Sequence, residues 1–503
     1  MLPWPRLRGA KYLAHGQSAP PFFAHVVRTG VRSRSRSPGL MSGLQTRDRG
    51  QLLTARLRAG RPLWRWMPLA VVTGIVLALG ASQVPGLDAA VIPIVAGLLL
   101  LLAVCRALRP DDTPMARRVM KWALVSFAVH LLVGFVILQS ANFAHSLASD
   151  ATTYDLGARL IVAHWHHLGP LPHMSKGKEG FYYSLAVLYW AFGPYPLAGF
   201  ALNALFAAAL LPLMFDVTQR LFGSDAAWWA VVIVALQPGF LVWPAQLLRE
   251  AGALFFLVVA LDCAVRLATK ATISAALLMA ADVGLFLTYR SDVALVVTVG
   301  LVAGLALGKR QVVGGVLAAG TVVAMGLLLV LALGLGRSGY QISTTSSLSQ
   351  VSHARQDLAR TATSGFDKTV DVSTPRRAIN YLPKGLPYFL WGPFPWQARS
   401  LPAVFSVVDA LTVIAITPST WRGVREARQR IGRMQLLLLL PAAVLTIALT
   451  LLIGNFGTIV RERLQVLMFL VPLAGLGIAR RRAEGRAPTV NGGAGVTASL
   501  LMG

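Results

Sequence analysis

What this chain can fold into is decided by how often it turns apolar and how far each apolar run extends. Runs fall near 67–83, 89–108, 119–139, 196–216, 226–241, 251–268, 272–288, 292–308, 312–336, 401–418, 435–453 and 464–479. A helix rising 1.5 Å per residue needs about 20 residues to cross ~30 Å of hydrocarbon, and several of these runs reach or approach that length. A water-soluble protein of 503 residues also needs more charge on its surface than the 13% found here against 55% hydrophobic residues. The expectation is an all-α polytopic membrane bundle of about twelve spans. One shorter stretch, "FYYSLAVLYWAFG" (181–193), is aromatic-rich and followed closely by "GPYP". It reads as an interfacial or partly inserted helix.

The formal net charge of +27 would suit a nucleic-acid binder, but its distribution points to lipid. Thirteen Lys and Arg against one acid precede the first run, and others crowd the connections 109–118 and 421–430 and the stretch 480–486. That is the bias of cytoplasmic segments beside anionic headgroups. "VRSRSRSP" (31–38) is also compatible with a nucleic-acid-binding arm, yet no nucleic-acid partner is expected. With the basic N-terminus inside, twelve crossings put 109–118, 217–225, 269–271, 309–311, 419–434 and the C-terminus inside. The loops 141–195 and 337–400 then lie outside, with short turns near 243–250, 289–291 and 454–463. The expected organisation is a disordered basic cytoplasmic segment (1–62) and a transmembrane core (63–336) that includes the outer loop 141–195. An outer loop acting as a lid (337–400), C-terminal transmembrane helices (401–480) and a cytoplasmic tail (481–503) follow. The expected location is the plasma (inner) membrane, and no cleavable signal peptide is evident. Cys105 and Cys263 lie in apolar runs and are too few for a disulfide framework.

The outer loop 141–195 carries "SDATTYDLGARLIVAHWHHLG". Leu156, Leu160, Ile161 and Trp165 are spaced for one helix face, and Ser149 or Asp150 can cap its start. Asp150 is either such a cap or a functional acid at an aqueous cleft, and Asp155 reads as a surface charge at a helix start. His164, His166, His167 and His173 invite a metal reading, but no acid or cysteine completes the set at a fixed spacing, so aromatic packing is the better reading.

The order of features is what raises Asp150. An acid follows an early span; then come a surface helix "Y…LGARL", the aromatic stretch, "ALNALFAAALLPLMFDVTQRLFG" and "AAWWAVVIVALQPGFLVWPAQLLRE". This resembles the GT-C class of membrane glycosyltransferases, in particular bacterial relatives of protein O-mannosyltransferases and aminoarabinose transferases. The resemblance covers roughly 120–270, with "GNFGTIVRERLQVLMFLVPLAGLG" (454–477) similar to the end of such proteins. It implies a sugar donor on a polyprenyl phosphate, an extracytoplasmic acceptor that is a cell-envelope glycan, lipid or protein, and inversion by one in-line displacement. It implies Asp150 as general base, which must come within about 3 Å of the acceptor. Arg249 and Glu250, an ionisable pair at the mouth of a span, are either a mutual salt bridge or headgroup anchor, or a phosphate contact with a second acid that orients it or binds acceptor. Arg249, Arg290, Arg461 and Arg463 become candidates for the donor phosphate, and Arg376, Arg377 and Lys384 for lipid contact from the lid. Many relatives carry an Asp-Glu pair in the first loop. Here Ala151 follows Asp150, which leaves the acceptor class and any divalent metal open; no cofactor is expected.

Asp262, Asp282 and His130 fall within apolar runs and support a different class, a transporter or flippase. A surface-polysaccharide polymerase or ligase, which shares large outer loops with arginine clusters, is a third. A transporter should depend on the mid-membrane acids, and a transferase on Asp150.

Overall fold

The computed structural model describes residues 87–108, 113–139, 149–174, 177–308, 347–362, 364–398 and 401–485. The runs expected at 67–83 and 312–336, and the segment 1–62, lie outside the described residues. Among the described residues the chain is helical, with no strand beyond a single bridge between Gly365 and Asn455. Fourteen α-helices follow in order: α1 (Leu87–Leu108), α2 (Pro114–Gln139), α3 (Ser149–Trp165), α4 (Glu179–Phe192), α5 (Pro196–Phe222), α6 (Ser224–Leu236), α7 (Pro238–Val242), α8 (Glu250–Thr269), α9 (Ile273–Gly308), α10 (Leu348–Thr361), α11 (Pro375–Trp391), α12 (Leu401–Arg430), α13 (Leu436–Leu452) and α14 (Phe456–Glu484). Among the described residues eight segments are long and apolar enough to cross a membrane: most of α1 and α12, all of α2, α5, α8, α9 and α14, and all of α13 with the turn before it. This is a multi-pass membrane protein.

Two of the expected spans differ in form. The run 226–241 stops at Leu236, because Gln237 is extended and Pro238 starts a new short helix. The runs 272–288 and 292–308 form one 36-residue element broken at Arg290, whose φ of −159° and ψ of 80° are not helical. The two halves run in opposite directions. Arg290 lies beside Glu250, the start of α8, while Ile273 follows the end of α8 after a short link. Gly300, Gly304 and Gly308 then pack successively on Pro441, Leu436–Leu437 and Arg433–Met434, which leads away from Arg290 again.

Neighbouring contacts separate the bundle into two ends. At one lie the end of α1, the start of α2, the α5–α6, α8–α9 and α12–α13 connections and the ends of α9 and α14. At the other lie the end of α2, the start of α3, the α4–α5, α7–α8 and α13–α14 connections and Arg290. These are the two sets that the charge distribution separates. α5, α8 and α14 are buried over most of their length, whereas only about a third or less of α1, α2 and α12 is buried. Small residues allow this close packing. Gly475 sits against the backbone of Ala226 and Ala230, Gly477 against the Ser419 carbonyl, and Gly423 against the Leu473 carbonyl. A Cβ at any of the three would overlap backbone, so α14 is seamed to α6 and α12 near its C-terminal end.

α3 and α4 pack together at the Arg290 end. Gly157 lies under the Tyr182 ring, and Tyr154 meets Phe181 edge-on at 5.0 Å. Asp155 ties the pair: it accepts from Tyr189 Oη at 2.7 Å and from Arg159 Nε at 2.9 Å. It is a clasp rather than a free surface charge. The buried face of α3 is Tyr154, Ala158 and Ile161, while Leu156, Leu160 and Trp165 face outward. The expected apolar face is thus split, with only Ile161 turned to the core, because helix α4 covers the face 100° away. The 14-residue α4 is too short to cross.

The outer segment also departs from expectation. "LSQVSHARQDLART" reads as a polar loop but forms α10, capped by Ser347, which accepts from Gln350 N. Arg355 holds it in place: its fully buried guanidinium donates to the Thr450 and Ile453 carbonyls at 3.1 and 2.6 Å and to Tyr381 Oη.

Candidate functional site

Where five chain segments meet, Asp150, Lys178, Arg249, Glu250, Arg290, Asp292, Arg461 and Glu462 come together. Asp150 lies in the first turn of α3, half exposed, 3.5 Å from Arg461 Nη1. The same guanidinium atom lies 3.7 Å from Glu250 Oε1, which is also 3.9 Å from Arg290 Nη1. Arg290 binds Glu462 through Nη2, and Gln465 donates to the other Glu462 oxygen at 2.9 Å. Arg290 also has Asp292 at 3.8 Å. Arg249, buried at the start of α8, donates from Nη1 to the Tyr289 carbonyl at 3.4 Å. Arg461 lies over the Trp243 ring, 5.5 Å from its centroid.

Local sequence explains these placements. The break at Arg290 turns its side chain into the interior at the end of two half-helices. The Gln237–Pro238 break and α7 carry Trp243 and the approach to Arg249 and Glu250. His130 secures that break, with Nε2 3.1 Å from the Phe240 carbonyl and Nδ1 2.7 Å from the Ser126 carbonyl. Asn203 does the same further on, donating to the Leu248 carbonyl at 2.9 Å.

The formal charges of the eight groups balance, four cationic against four anionic. What distinguishes the cluster is unmet hydrogen bonding. Nε and Nη1 of Arg290, Nε of Arg461 and Oε2 of Glu250 are buried without hydrogen-bond partners among the described residues. Apart from the direct Arg290–Glu462 bond, the ion pairs that surround them stand at 3.5–3.9 Å, at or beyond the limit of a hydrogen bond. Most buried polar groups are satisfied, and leaving one unsatisfied costs about 1–3 kcal/mol. Several gathered at one place leave room for a ligand that accepts hydrogen bonds.

Lys178 is the group that sequence reasoning missed. It is half-buried just before α4, and burial together with Arg249 pushes its ammonium down to about 8, with Asp150 and Glu250 acting the other way. Its only signal was its place two residues after Lys176 in a Gly-rich connection. Burial also pushes the Tyr154 hydroxyl up beside Arg249, Glu250 and Asp150.

Four expected contacts are not brought into the cluster. Arg463 is fully buried and turned away: Nη2 pairs with Asp409 at 2.6 Å, and Nη1 donates to the Gly392 and Leu390 carbonyls at 2.6 and 3.2 Å. Two residues on a helix differ by 200° in direction, so Arg461 and Arg463 cannot serve one pocket. Arg376 is exposed on α11. Arg377 pairs with Asp371, and Lys384 with Asp367 at 2.6 Å, so both are engaged within the outer segment. Of the other candidates, Asp262 pairs with Arg266 at 2.6 Å, and Arg266 also reaches Asp216 at 3.2 Å, at the opposite end of the bundle. Asp282 is buried midway along the first half of α9. Among the described residues no three His, Cys, Asp or Glu side chains gather as metal ligands. His164 instead meets the Gly169 carbonyl at 3.0 Å, at the end of α3.

A crystal structure of ArnT from Cupriavidus metallidurans bound to undecaprenyl phosphate is similar to this chain, with 17% sequence identity and a TM-score of 0.46. The likeness covers 73% of this chain and 62% of that one, so the chain spans somewhat less than two thirds of that protein's length. No family model matches the sequence, and no curated protein does.

Proposed function

We propose that this protein is a GT-C-type glycosyltransferase that moves a sugar from a polyprenyl phosphate carrier to an acceptor at the extracytoplasmic face of the plasma membrane. The observation that carries the reading is the set of buried, unpartnered guanidinium N–H groups of Arg290 and Arg461 facing Glu250 and Asp150. A phosphate ester supplies the acceptors those N–H groups lack, and arginine is suited to it by its planar fork of donors. An extracytoplasmic site is supported by the positive-inside bias, since the cluster lies at the bundle end opposite most of the basic connections. There a lipid presents its phosphate while its tail stays in hydrocarbon.

The chemistry follows from the placement. The acceptor oxygen or nitrogen attacks the anomeric carbon as the bond from that carbon to the phosphate oxygen breaks, and the phosphate leaves with the bonding pair. Asp150, half exposed at the mouth, takes the acceptor proton. Arg290 and Arg461, with Arg249 and Lys178 beside them, stabilise the charge on the departing phosphate. Glu250 holds the two guanidinium groups apart and aimed at the opening. One displacement gives inversion. A role for Arg463 on the phosphate is dropped, since its donors are taken up elsewhere.

The test is Asp150→Asn. The exposed pair with Arg461 contributes little stability, so the variant should express and melt like the wild type. Release of polyprenyl phosphate from a labelled polyprenyl-phosphate sugar, in membranes that contain the native acceptor, should fall on the order of 10²-fold or more. Asp155→Asn should leave release far less affected, in proportion to any loss of the α3–α4 clasp. Wild-type release by Asp150→Asn removes the base from the mechanism.

A further inference from the structure

Arg463 and Asp409 are both wholly buried, and they join four segments. Arg463 is on α14, one residue after Glu462 and two after Arg461. Asp409 is on α12. Its Oδ1 accepts from Gln237 Nε2 at 2.6 Å and from the Gly239 backbone N–H at 2.7 Å, both at the α6–α7 break. A Cβ at residue 239 would stand 2.5 Å from that oxygen, so glycine there is what lets the carboxylate reach the backbone. Thr412 fixes the other face of Gln237, donating to Oε1 at 2.9 Å. The Arg463 guanidinium, for its part, holds the carbonyls of residues 390 and 392 at the end of α11.

We infer that the Asp409–Arg463 pair is a positioning device, which fixes the α14 turn bearing Arg461 and Glu462 against the α6–α7 break bearing Trp243, and hangs the end of α11 on the same guanidinium. The inference rests on the reading of the cluster as a phosphate site. A fully desolvated ion pair is an inefficient way to hold helices together, since apolar side chains of similar volume often do so as well or better. Its value is directional. Arg463 has only one orientation that satisfies Asp409 and two carbonyls at once, and that orientation sets the azimuth of the turn carrying Arg461. Among the described residues Arg461 has no such anchor of its own: its ion pairs are at 3.5 and 3.7 Å, and its guanidinium lies over the face of Trp243. Both elements that frame Arg461, the helix it stands on and the tryptophan beneath it, are tied to the same carboxylate. The end of the outer segment is therefore coupled to the donor site through Arg463.

Two variants and a control test this. Asp409→Asn keeps shape and an acceptor oxygen but removes the charge. Arg463→Lys keeps the charge but loses the fork. Arg355→Lys weakens another buried arginine that anchors the outer segment without touching the 461–463 turn. Polyprenyl phosphate binding is measured in nanodiscs well below the melting temperature, and the Arg461–Glu250 separation is read from structures of the same variants. Asp409→Asn and Arg463→Lys should bind polyprenyl phosphate about tenfold more weakly, the scale of one charge-assisted contact, with Arg461 displaced from Glu250. Arg355→Lys should melt earlier yet bind as the wild type does. Wild-type binding with Arg461 in place, in whichever of the two variants folds, overturns the inference and leaves the pair as packing. If the wild type itself binds no polyprenyl phosphate, the functional reading falls, and the Arg461–Glu250 separation alone decides the positioning role.

Discussion

Replacing Arg461 by alanine separates ligand binding from stability more cleanly than any other change at the cluster. The side chain is largely buried but makes no close hydrogen bond: its carboxylate neighbours stand at 3.5 and 3.7 Å, and Nε has no partner. One of those carboxylates, Asp150, is half exposed, so that pair is worth at most about 1 kcal/mol. The face of Trp243 adds about 0.5–1 kcal/mol, more where water is excluded. Glu250 keeps Arg290 at 3.9 Å after the change. Those two contacts come to about 2 kcal/mol, and the part of the Glu250 charge that Arg290 does not offset adds to it, so the melting temperature should fall. A phosphate that gains a charge-assisted contact from Arg461 loses about 1.5–3 kcal/mol when it is removed, a drop of roughly 10- to 150-fold in affinity. Arg461→Lys should fall between, because an ammonium keeps the charge without the fork. Titration of polyprenyl phosphate into the protein in nanodiscs, followed by calorimetry, measures the effect. An unchanged dissociation constant in Arg461→Ala would falsify the placement of the phosphate at this guanidinium.

Orientation can be checked by labelling: with a membrane-impermeant maleimide, Lys368→Cys should react in intact cells and Arg425→Cys only after permeabilisation, and the reverse result would invert the arrangement. Lys178 sets a pH dependence. Its folded-state value of about 8 lies below the ordinary 10.5, so the ammonium destabilises the fold below pH 8, and stability rises as the pH climbs from 8 towards 10.5. Phosphate affinity should run the opposite way, weakening above pH 8 as the positive charge is lost, and Lys178→Met should flatten that profile. An identical profile in Lys178→Met would show that another group titrates.

Spans were legible because lipid demands long apolar runs, and the two bundle ends because charge gathers at the connections. Asp150, Arg249, Glu250, Arg290 and Arg461 were legible for a related reason: ionisable residues at span ends are conspicuous against so little charge. That they meet was not legible, since Asp150 and Arg461 are brought together only by the packing of α3 on the remainder. Asp409 stands in the apolar run 401–418 as Asp262 and Asp282 stand in theirs, but its pairing was not legible, because the partner lies 54 positions away on another helix. Arg463 was misplaced although its direction was available: residues 461 and 463 of one helix point 200° apart. The order in 348–361 was hidden by polar composition, which its cap at Ser347 and the buried Arg355 override.

The glycine seam of α14 lies at the far end of the helix from Arg461. Fourteen residues separate Arg461 from Gly475, a lever of about 21 Å at 1.5 Å per residue. Tilting that lever by roughly 3° about the seam carries Arg461 about 1 Å. Such a movement is too slight to disturb the clamped end, where backbone meets backbone at Gly475 and Gly477. It is nevertheless enough to bring a guanidinium from 3.5 or 3.7 Å into direct contact with a carboxylate. Helix α14 is thus held near both ends, by backbone contact at the glycine seam and by the Asp409–Arg463 pair beside Arg461, and the second hold opposes a tilt that would turn the ion pairs of Arg461 into direct contacts.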